Sequence, residues 1–242
     1  MALNGLVSDS STTTTLVFDV LGTLLDEDAG QLAAAADTIR ADASAFVDRW
    51  QEVFHRGVEA VQEGRRVYAS SEVLHAEAAA AVAVERGEEL TAAQVQRLAT
   101  FGRRLEPFPE VVEALERLAS SYALVALTNA GTAQAFAMSR FAGLRWTTLI
   151  SGETVGAFKP DRRMYEHALR VLDLDPEECV FVAAHPWDLD AAATHGFRTA
   201  YVDRAHSASS ELAAYARRFD HLAPDLSALV EQLSGPAGLP NG

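Results

Sequence analysis

Four polar segments of this sequence, each in a loop that follows an apolar run typical of a strand, carry the side chains most suited to catalysis. The first holds Asp19, which follows the run TLVF at 15–18 and precedes a turn indicated by Gly22 and Thr23. Ligands of open α/β sheets bind at the carboxyl ends of the strands, so a carboxylate at this junction could serve as a nucleophile. Taken alone, Asp19 fits an aspartate that caps a turn equally well.

The other three segments are Thr128-Asn129, Lys159 within FKPD, and His185 and Asp188 within AAHPWDLD. All strands of a parallel sheet point the same way, so we expect these segments to meet the first one at a single edge of the sheet. This convergence matters more than any one residue, because Thr-Asn is a common turn and Lys-Pro-Asp a common helix start. His185 is balanced between site and scaffold, and Trp187 is predicted to pack into the core.

The residue types at this edge predict distinct roles. Lys159 would keep Asp19 ionised and attract an anionic substrate. Thr128 and Asn129 could hydrogen-bond a carboxylate or phosphate oxygen. Asp188 could orient the lysine or activate a water molecule.

The composition is that of an ordinary globular protein and limits its partners. Among 242 residues, 34 Asp and Glu stand against 20 Lys and Arg, and the net charge of −14 disfavours nucleic acid and anionic membranes. No apolar run approaches the roughly 20 residues that a membrane helix needs. Cys179 is the only cysteine, so we expect no intramolecular disulfide and a reducing, cytoplasmic location. An anionic substrate would therefore need a local basic pocket.

The order of predicted elements is typical of an α/β fold with a helical insertion. We predict a disordered tail over 1–14, a doubly wound parallel-sheet core over 15–27 and 105–234, a cap of four helices over 28–104, and a frayed end over 235–242. The predicted core strands are 15–18, 123–127, 147–150, 179–184 and 199–202, and the core helices are 111–120, 132–141, 161–172, 188–195 and 226–233.

Together, the four polar segments resemble the four motifs of the haloacid dehalogenase superfamily. FDVLGTLLDE is similar to the first motif, LTNAG to the second, FKPDRRMYEHAL to the third and FVAAHPWDLDAA to the fourth, over about residues 15–233. The resemblance implies a Rossmann-like core with a mobile helical cap inserted after the first motif. This agrees with the order of the predicted elements.

Two positions separate this chain from the phosphatases of that superfamily. The second acid of their first motif, which protonates the leaving oxygen, is replaced here by Leu21, and the first magnesium-binding acid of their fourth motif is replaced by Ala184. Asp19 and Asp188 alone would hold a hard cation poorly, since such a cation takes several oxygen ligands. We therefore predict neither a metal ion nor a cofactor.

The chain is instead similar to the type II 2-haloacid dehalogenases, which keep the nucleophile without the second acid or the metal. This resemblance implies that Asp19 displaces the halogen of a short 2-haloalkanoic acid and forms an ester. Water would then attack the ester, helped by Asp188, Lys159 and Thr23. Two alternatives stay open: a phosphatase with an altered metal site, and a catalytically silent protein that binds a small acid.

The same resemblance assigns the substrate-binding residues. Thr128 and Asn129 would hold the substrate carboxylate, in a pocket lined by Tyr165, His185 and Leu21. Known members also carry a cap arginine that grips substrate and halide, whereas the matching segment RWQEVFHRG has Gln51 after Trp50. The candidate replacements are Arg49, Arg56, Arg65 and Arg66. Dimers are common among these relatives, so the apolar side chains Phe46, Trp50 and Phe54 could face a second copy or form the core of the cap.

Overall fold

The computed structural model of this chain describes residues 13–40, 42–204 and 215–234. The predicted frayed end and most of the predicted tail lie outside the described residues. Thr13 and Thr14, however, pack with the core two residues earlier than predicted. The Thr14 N–H donates to the Glu178 carbonyl at 2.9 Å, and the Arg198 guanidinium donates to the Thr13 hydroxyl at 2.8 Å.

One sheet of six parallel strands organises the described chain. Its strands are β1 (Thr15–Phe18), β2 (Ala123–Thr128), β3 (Thr148–Ser151), β4 (Cys179–Ala183), β5 (Arg198–Val202) and β6 (His221–Ala223), in the spatial order β3-β2-β1-β4-β5-β6. Strand β1 lies between β2 and β4, where the strand order reverses. Its carboxyl end therefore opens at the position where doubly wound sheets bind ligands.

Four α-helices of the described chain precede a 3-10 turn at Phe101–Arg104, and we call them the cap helices: α1 (Glu27–Ala36), α2 (Ala43–Gln62), α3 (Ser71–Glu85) and α4 (Ala92–Ala99). The sheet is accompanied by α5 (Val111–Leu118), α6 (Thr132–Phe141), α7 (Gly152–Val155), α8 (Arg162–Leu172), α9 (Pro186–Thr194) and α10 (Leu226–Ser234). Buried apolar clusters lie on both faces of the sheet, which explains why β1 and β4 read as continuous apolar runs.

The apolar side chains Phe46, Trp50 and Phe54 all lie on α2, and the first two pack inside the chain. Phe46 and Trp50 are fully buried, and the Trp50 indole N–H donates to the carbonyl of His75 at 3.0 Å, which ties α2 to α3. These two side chains therefore do not face a second copy. Phe54 is only partly buried and lines the cavity described below.

The predicted elements agree with the structure to within about two residues at most ends, with two additions. The short elements α7 and β6 were not predicted, because four and three residues are too few for a periodic pattern. Helix α9 begins at Pro186, two residues before the predicted start, and proline suits a first helical position because its missing N–H would have no partner there. Among the described residues, no helix is long and apolar enough to cross a membrane.

Candidate active site

Asp19 lies just beyond the carboxyl end of β1 and is held in one orientation. The carboxylate is 4% exposed. Its Oδ1 accepts a hydrogen bond from Lys159 Nζ at 2.6 Å, and its Oδ2 accepts one from the Thr23 hydroxyl at 2.6 Å. Thr23 Oγ1 accepts in turn from the N–H of Ala184 at 2.9 Å, so the hydroxyl hydrogen is committed to Asp19.

Lys159 joins the nucleophile candidate to a second buried carboxylate. Its Nζ lies 2.5 Å from Asp188 Oδ2, and Asp188 Oδ1 accepts a hydrogen bond from the Tyr165 hydroxyl at 2.5 Å. The main chain of the lysine is fixed as well. Its N–H donates to Asn129 Oδ1 at 2.7 Å, and its carbonyl accepts from Gln62 Nε2 at 3.1 Å.

Burial opposes each charge in this group, and the neighbouring charges offset it to different degrees. For Asp19, burial raises the pKa, but attraction to Lys159 and His185 outweighs it and leaves the pKa below its usual value. For Asp188, burial and repulsion from Asp19 leave the pKa raised in spite of Lys159. Burial lowers the pKa of Lys159, and the two carboxylates more than compensate, so this pKa is raised. The arrangement therefore keeps the nucleophile candidate ionised beside a charged ammonium.

A cavity of about 530 Å³ lies between Asp19 and the cap helices. From the connections after the strands, including the first turn of α9, it is lined by Asp19, Leu21, Asn129, Phe158, Lys159, His185 and Trp187, and from α2 by Gln51, Phe54, His55, Val58, Glu59 and Gln62. The rest of its boundary comes from Glu27, Asp28, Ser71, His75, Gln134 and Pro160. The loops thus supply the reactive groups, and α2 faces them across the cavity.

His185 lines the cavity beside the nucleophile candidate. Its Nε2 lies 3.1 Å from the carbonyl of Leu21 and 3.7 Å from Asp19 Oδ2. A carbonyl only accepts hydrogen bonds, so Nε2 carries the hydrogen. The Trp187 ring stacks on the imidazole with ring centroids 5.5 Å apart and is 44% exposed. The predicted packing of Trp187 into the core is therefore wrong, because α9 starts early and turns this side chain toward the cavity.

Two residues predicted to touch the substrate lie behind the cavity surface. Tyr165 is fully buried, does not line the cavity, and hydrogen-bonds Asp188. Thr128 is also fully buried, and its hydroxyl accepts from the N–H of Ala130 at 3.2 Å, as in an ordinary turn. Asn129 and Leu21 do line the cavity, as predicted. Tyr165 and Thr128 thus lie beneath this cavity, and their contact with the substrate stays a prediction.

None of the four candidate cap arginines lines the cavity. Arg49 binds Glu52 and Glu85, Arg66 binds Glu77, Arg65 binds Glu63, and Arg56 is exposed. The sequence left open which of them, if any, replaces the arginine of the relatives, and none of the four reaches this cavity. Gln51 lines the cavity instead and donates from Nε2 to Gln31 Oε1 at 2.8 Å.

The donor set around Asp19 does not fit a hard divalent cation. Leu21 and Ala184 offer no side-chain oxygen, and the oxygens of Asp188 already accept from Lys159 and Tyr165. In the described ranges, no group of three or more His, Cys, Asp or Glu side chains is arranged to hold a metal ion. We derive no chemical step through a metal.

The sequence singled out Gln51 and Phe54 on α2, but it did not reveal that a whole stripe of this helix faces the cavity. The side chains of this stripe recur at three- and four-residue spacing and face the cavity together; they are Gln51, Phe54, His55, Val58, Glu59 and Gln62. The signal was present as a second helical stripe beside the buried one. It mixes polar and apolar residues, so a search for an apolar stripe passes over it.

A family model of haloacid dehalogenase-like hydrolases matches residues 13–196. This chain belongs to that family. The family prediction made from the four motifs is therefore confirmed.

Relatives within the family are 2-haloacid dehalogenases. The (S)-2-haloacid dehalogenase of Pseudomonas sp. strain YL is 33% identical over 138 residues, which cover 56% of this chain and 58% of that protein. The crystal structure of an L-2-haloacid dehalogenase is 33% identical, with a TM-score of 0.85 over 91% of this chain and 98% of that one. A defluorinating L-2-haloacid dehalogenase is 29% identical, with a TM-score of 0.84 over 92% and 96%. The predicted α/β fold with a Rossmann-like sheet is likewise confirmed.

Proposed function

We propose that the protein hydrolyses the carbon–halogen bond of 2-haloalkanoic acids through an ester on Asp19, without a metal ion. The observation that carries this proposal is an ionised carboxylate, fixed by Lys159 and Thr23, at the base of a cavity where Leu21 and Ala184 provide no second acid and no metal ligand. A halide leaves as an anion and needs no proton, so the reaction does not require an acid at position 21. The names and folds of the relatives support this substrate class.

In the first step, an Asp19 oxygen forms a bond to C2 of the substrate. The carbon–halogen bond breaks, and its electron pair leaves with the halide. The carboxylate is rigidly held before the substrate arrives, so little reorganisation accompanies the attack. Because the nucleophile approaches opposite the halogen, the configuration at C2 inverts.

In the second step, water attacks the carbonyl carbon of the Asp19 ester. The negative charge develops on the Asp19 oxygen that did not attack C2, and that oxygen keeps its own donor, which is Lys159 Nζ for Oδ1 or Thr23 Oγ1 for Oδ2. Cleavage releases the 2-hydroxy acid, restores the carboxylate and frees one proton. Asp188 is buried behind Lys159 and does not line the cavity, so we assign it to positioning the lysine. Its part in activating water stays a prediction.

The decisive experiment measures free halide with EDTA present. The substrates are the enantiomers of 2-chloropropionate, bromoacetate and fluoroacetate, with p-nitrophenyl phosphate plus magnesium assayed in parallel. We expect halide release without metal, and incorporation of ¹⁸O from labelled water into the Asp19 peptide after several turnovers. Cleavage of the phosphate ester alone would instead support the phosphatase alternative, and silence in both assays would support the binding protein.

Asp19→Asn should lower halide release by at least about 10³-fold, because an amide is not a nucleophile of comparable strength. The exposed Asp48→Asn is the matched control and should behave as wild type. Mass spectrometry must show that the asparagine has not deamidated. Full activity of an intact Asp19→Asn protein would exclude the covalent mechanism. A homodimer and a cytoplasmic location stay predictions.

A further inference from the structure

The cavity is larger than a two- or three-carbon acid requires. Its volume of about 530 Å³ lies within the range of sites that hold drug-sized ligands, roughly 300–1,000 Å³. Asp19 and Lys159 occupy one end, and α2 forms the facing boundary. A short haloacid that reacts at Asp19 would leave much of the remaining space to water.

Part of the cavity lining is apolar, alongside the polar side chains that α2 contributes. Leu21, Phe54, Val58 and Phe158 form this apolar part, and we call these four side chains with His75 the apolar chamber. The His75 ring stacks on Phe54 with centroids 3.8 Å apart and an interplanar angle of 3°. Burial lowers the pKa of His75 to about 3, so the ring is uncharged and behaves as a flat aromatic surface. Such a chamber favours hydrocarbon over water.

Permanent positive charge is scarce around the same cavity, whose other basic lining groups include the imidazoles of His55 and His185. Lys159 is its only lining lysine in the described chain, no arginine joins it, and its ammonium already contacts two carboxylates. Glu27, Asp28 and Glu59 line the cavity as well. Recognition of a substrate carboxylate alone would therefore contribute little, and apolar contact must supply more of the binding.

We propose that the apolar chamber binds the carbon chain of the substrate, so that 2-haloalkanoic acids with a linear 2-substituent of about three to six carbons are preferred over haloacetate and 2-halopropionate. This inference rests on the function proposed above and names its substrate class. Each methylene that moves from water into the chamber should raise kcat/KM by about fourfold, up to the length that fills it.

The test is a chain-length series on the wild-type protein with EDTA, from (S)-2-bromopropionate to (S)-2-bromooctanoate, with halide release as the readout. We expect kcat/KM for 2-bromohexanoate to exceed that for 2-bromopropionate by at least about tenfold. A flat or falling series with clear activity on the short acids would overturn the inference and leave the proposed function standing. No halide from any acid would overturn both.

Unhalogenated acids separate binding from reactivity at C2. Hexanoate should inhibit competitively at a concentration at least about tenfold below that needed for propionate, for the same reason. Equal inhibition by the two acids would contradict the chamber even if the kinetic series rose with length.

A pair of variants then locates the effect. Val58→Phe reduces the chamber and should lower the ratio of kcat/KM for 2-bromohexanoate over 2-bromopropionate by at least about tenfold. The matched control is Val84→Phe on α3, whose valine is 79% exposed and should leave the ratio unchanged. Circular dichroism establishes that both variants are folded. An unchanged ratio in folded Val58→Phe would remove the chamber from the argument.

Discussion

The two sides of the cavity differ in how their polar atoms are satisfied. On the loop side, both oxygens of Asp19 and both of Asp188 accept hydrogen bonds at 2.5–2.6 Å. On the cap side, Gln31 Nε2 and His75 Nδ1 are buried without a hydrogen-bond partner in the described part of the chain. Chemistry needs fixed charges, whereas recognition of a flexible carbon chain needs shape more than fixed polar contacts.

This difference separates two functions within one site. The loop side contains buried charges, and these are compatible with a stable fold only while each keeps its partner. On the cap side, ion pairs such as that between Arg66 and Glu77 lie on the exposed surface, where they contribute little. We therefore expect substitutions on the loop side to affect both stability and turnover, and those on the cap side to affect mainly the choice of substrate.

The largest effect should come from Lys159→Met, which removes the shared partner of two buried carboxylates. We expect the free energy of unfolding to fall by about 3–5 kcal/mol and halide release by at least about 10²-fold. On the cap side, Arg66→Met should change the free energy of unfolding by less than about 1 kcal/mol. Urea denaturation of both variants measures the contrast. Equal losses would show that the two sides do not differ in this way.

Lys159→Met should also reverse part of the pH dependence of the free energy of unfolding. In the wild type the pKa of Asp19 is lowered, so its contribution to stability is present above the unfolded pKa and lost as pH falls through the folded one. Without Lys159, burial raises that pKa, and the variant should gain stability relative to the wild type as pH falls from about 7 toward 5. Repeating the urea series at both pH values tests the sign.

A smaller effect is expected from Gln51→Arg, which would give the cap side a fixed charge. A guanidinium facing the cavity should lower KM for 2-chloropropionate by about five- to tenfold, because a charged donor can hydrogen-bond the substrate carboxylate. It should also weaken the dependence on chain length. Gln96→Arg, at an exposed position of α4, is the matched control for net charge. An unchanged KM would mean that Glu59 or Glu27 captures the new side chain.

The smallest predicted effect concerns pH and Glu27. Burial raises the pKa of Glu27 to about 7, with repulsion from Asp19 and Asp28 adding to it and His185 opposing it. The side chain is therefore neutral below that pH and negative above it. KM for an anionic acid should rise by about threefold between pH 6 and 8. Glu27→Gln should flatten this rise, whereas the exposed Glu116→Gln should not. A rise that persists in Glu27→Gln would assign it to another group.

The residues of the loop side were largely predictable because they lie in short contiguous motifs. Asp19, Thr23, Lys159 and Asp188 lie in connections that leave the carboxyl ends of β1, β3 and β4, and parallel strands bring such connections together wherever they occur in the sequence. The motifs did not reveal which residues line the cavity and which lie beneath it. Tyr165 belongs to the third motif, yet it contacts Asp188 from below, because its helix α8 packs against the sheet beneath the loops.

The cap side was less predictable because its geometry depends on tertiary packing. The sequence predicted four cap helices but did not tell which side of α2 faces the sheet and which faces α3. Phe46 and Trp50 turned out to pack inside the cap, while Gln51, one residue later, faces the cavity. Neighbouring positions on a helix point about 100° apart, so a small rotation of α2 would exchange their roles.

Ala184 shows how a position can matter without its side chain. The residue contributes to the site only by the N–H that it donates to Thr23 Oγ1, and through that hydroxyl its peptide dipole acts on Asp19. Nineteen of the twenty amino acids offer the same group, and proline alone does not. Alanine scanning is blind to the part that this position plays through its backbone, since every residue but proline keeps the N–H that orients Thr23.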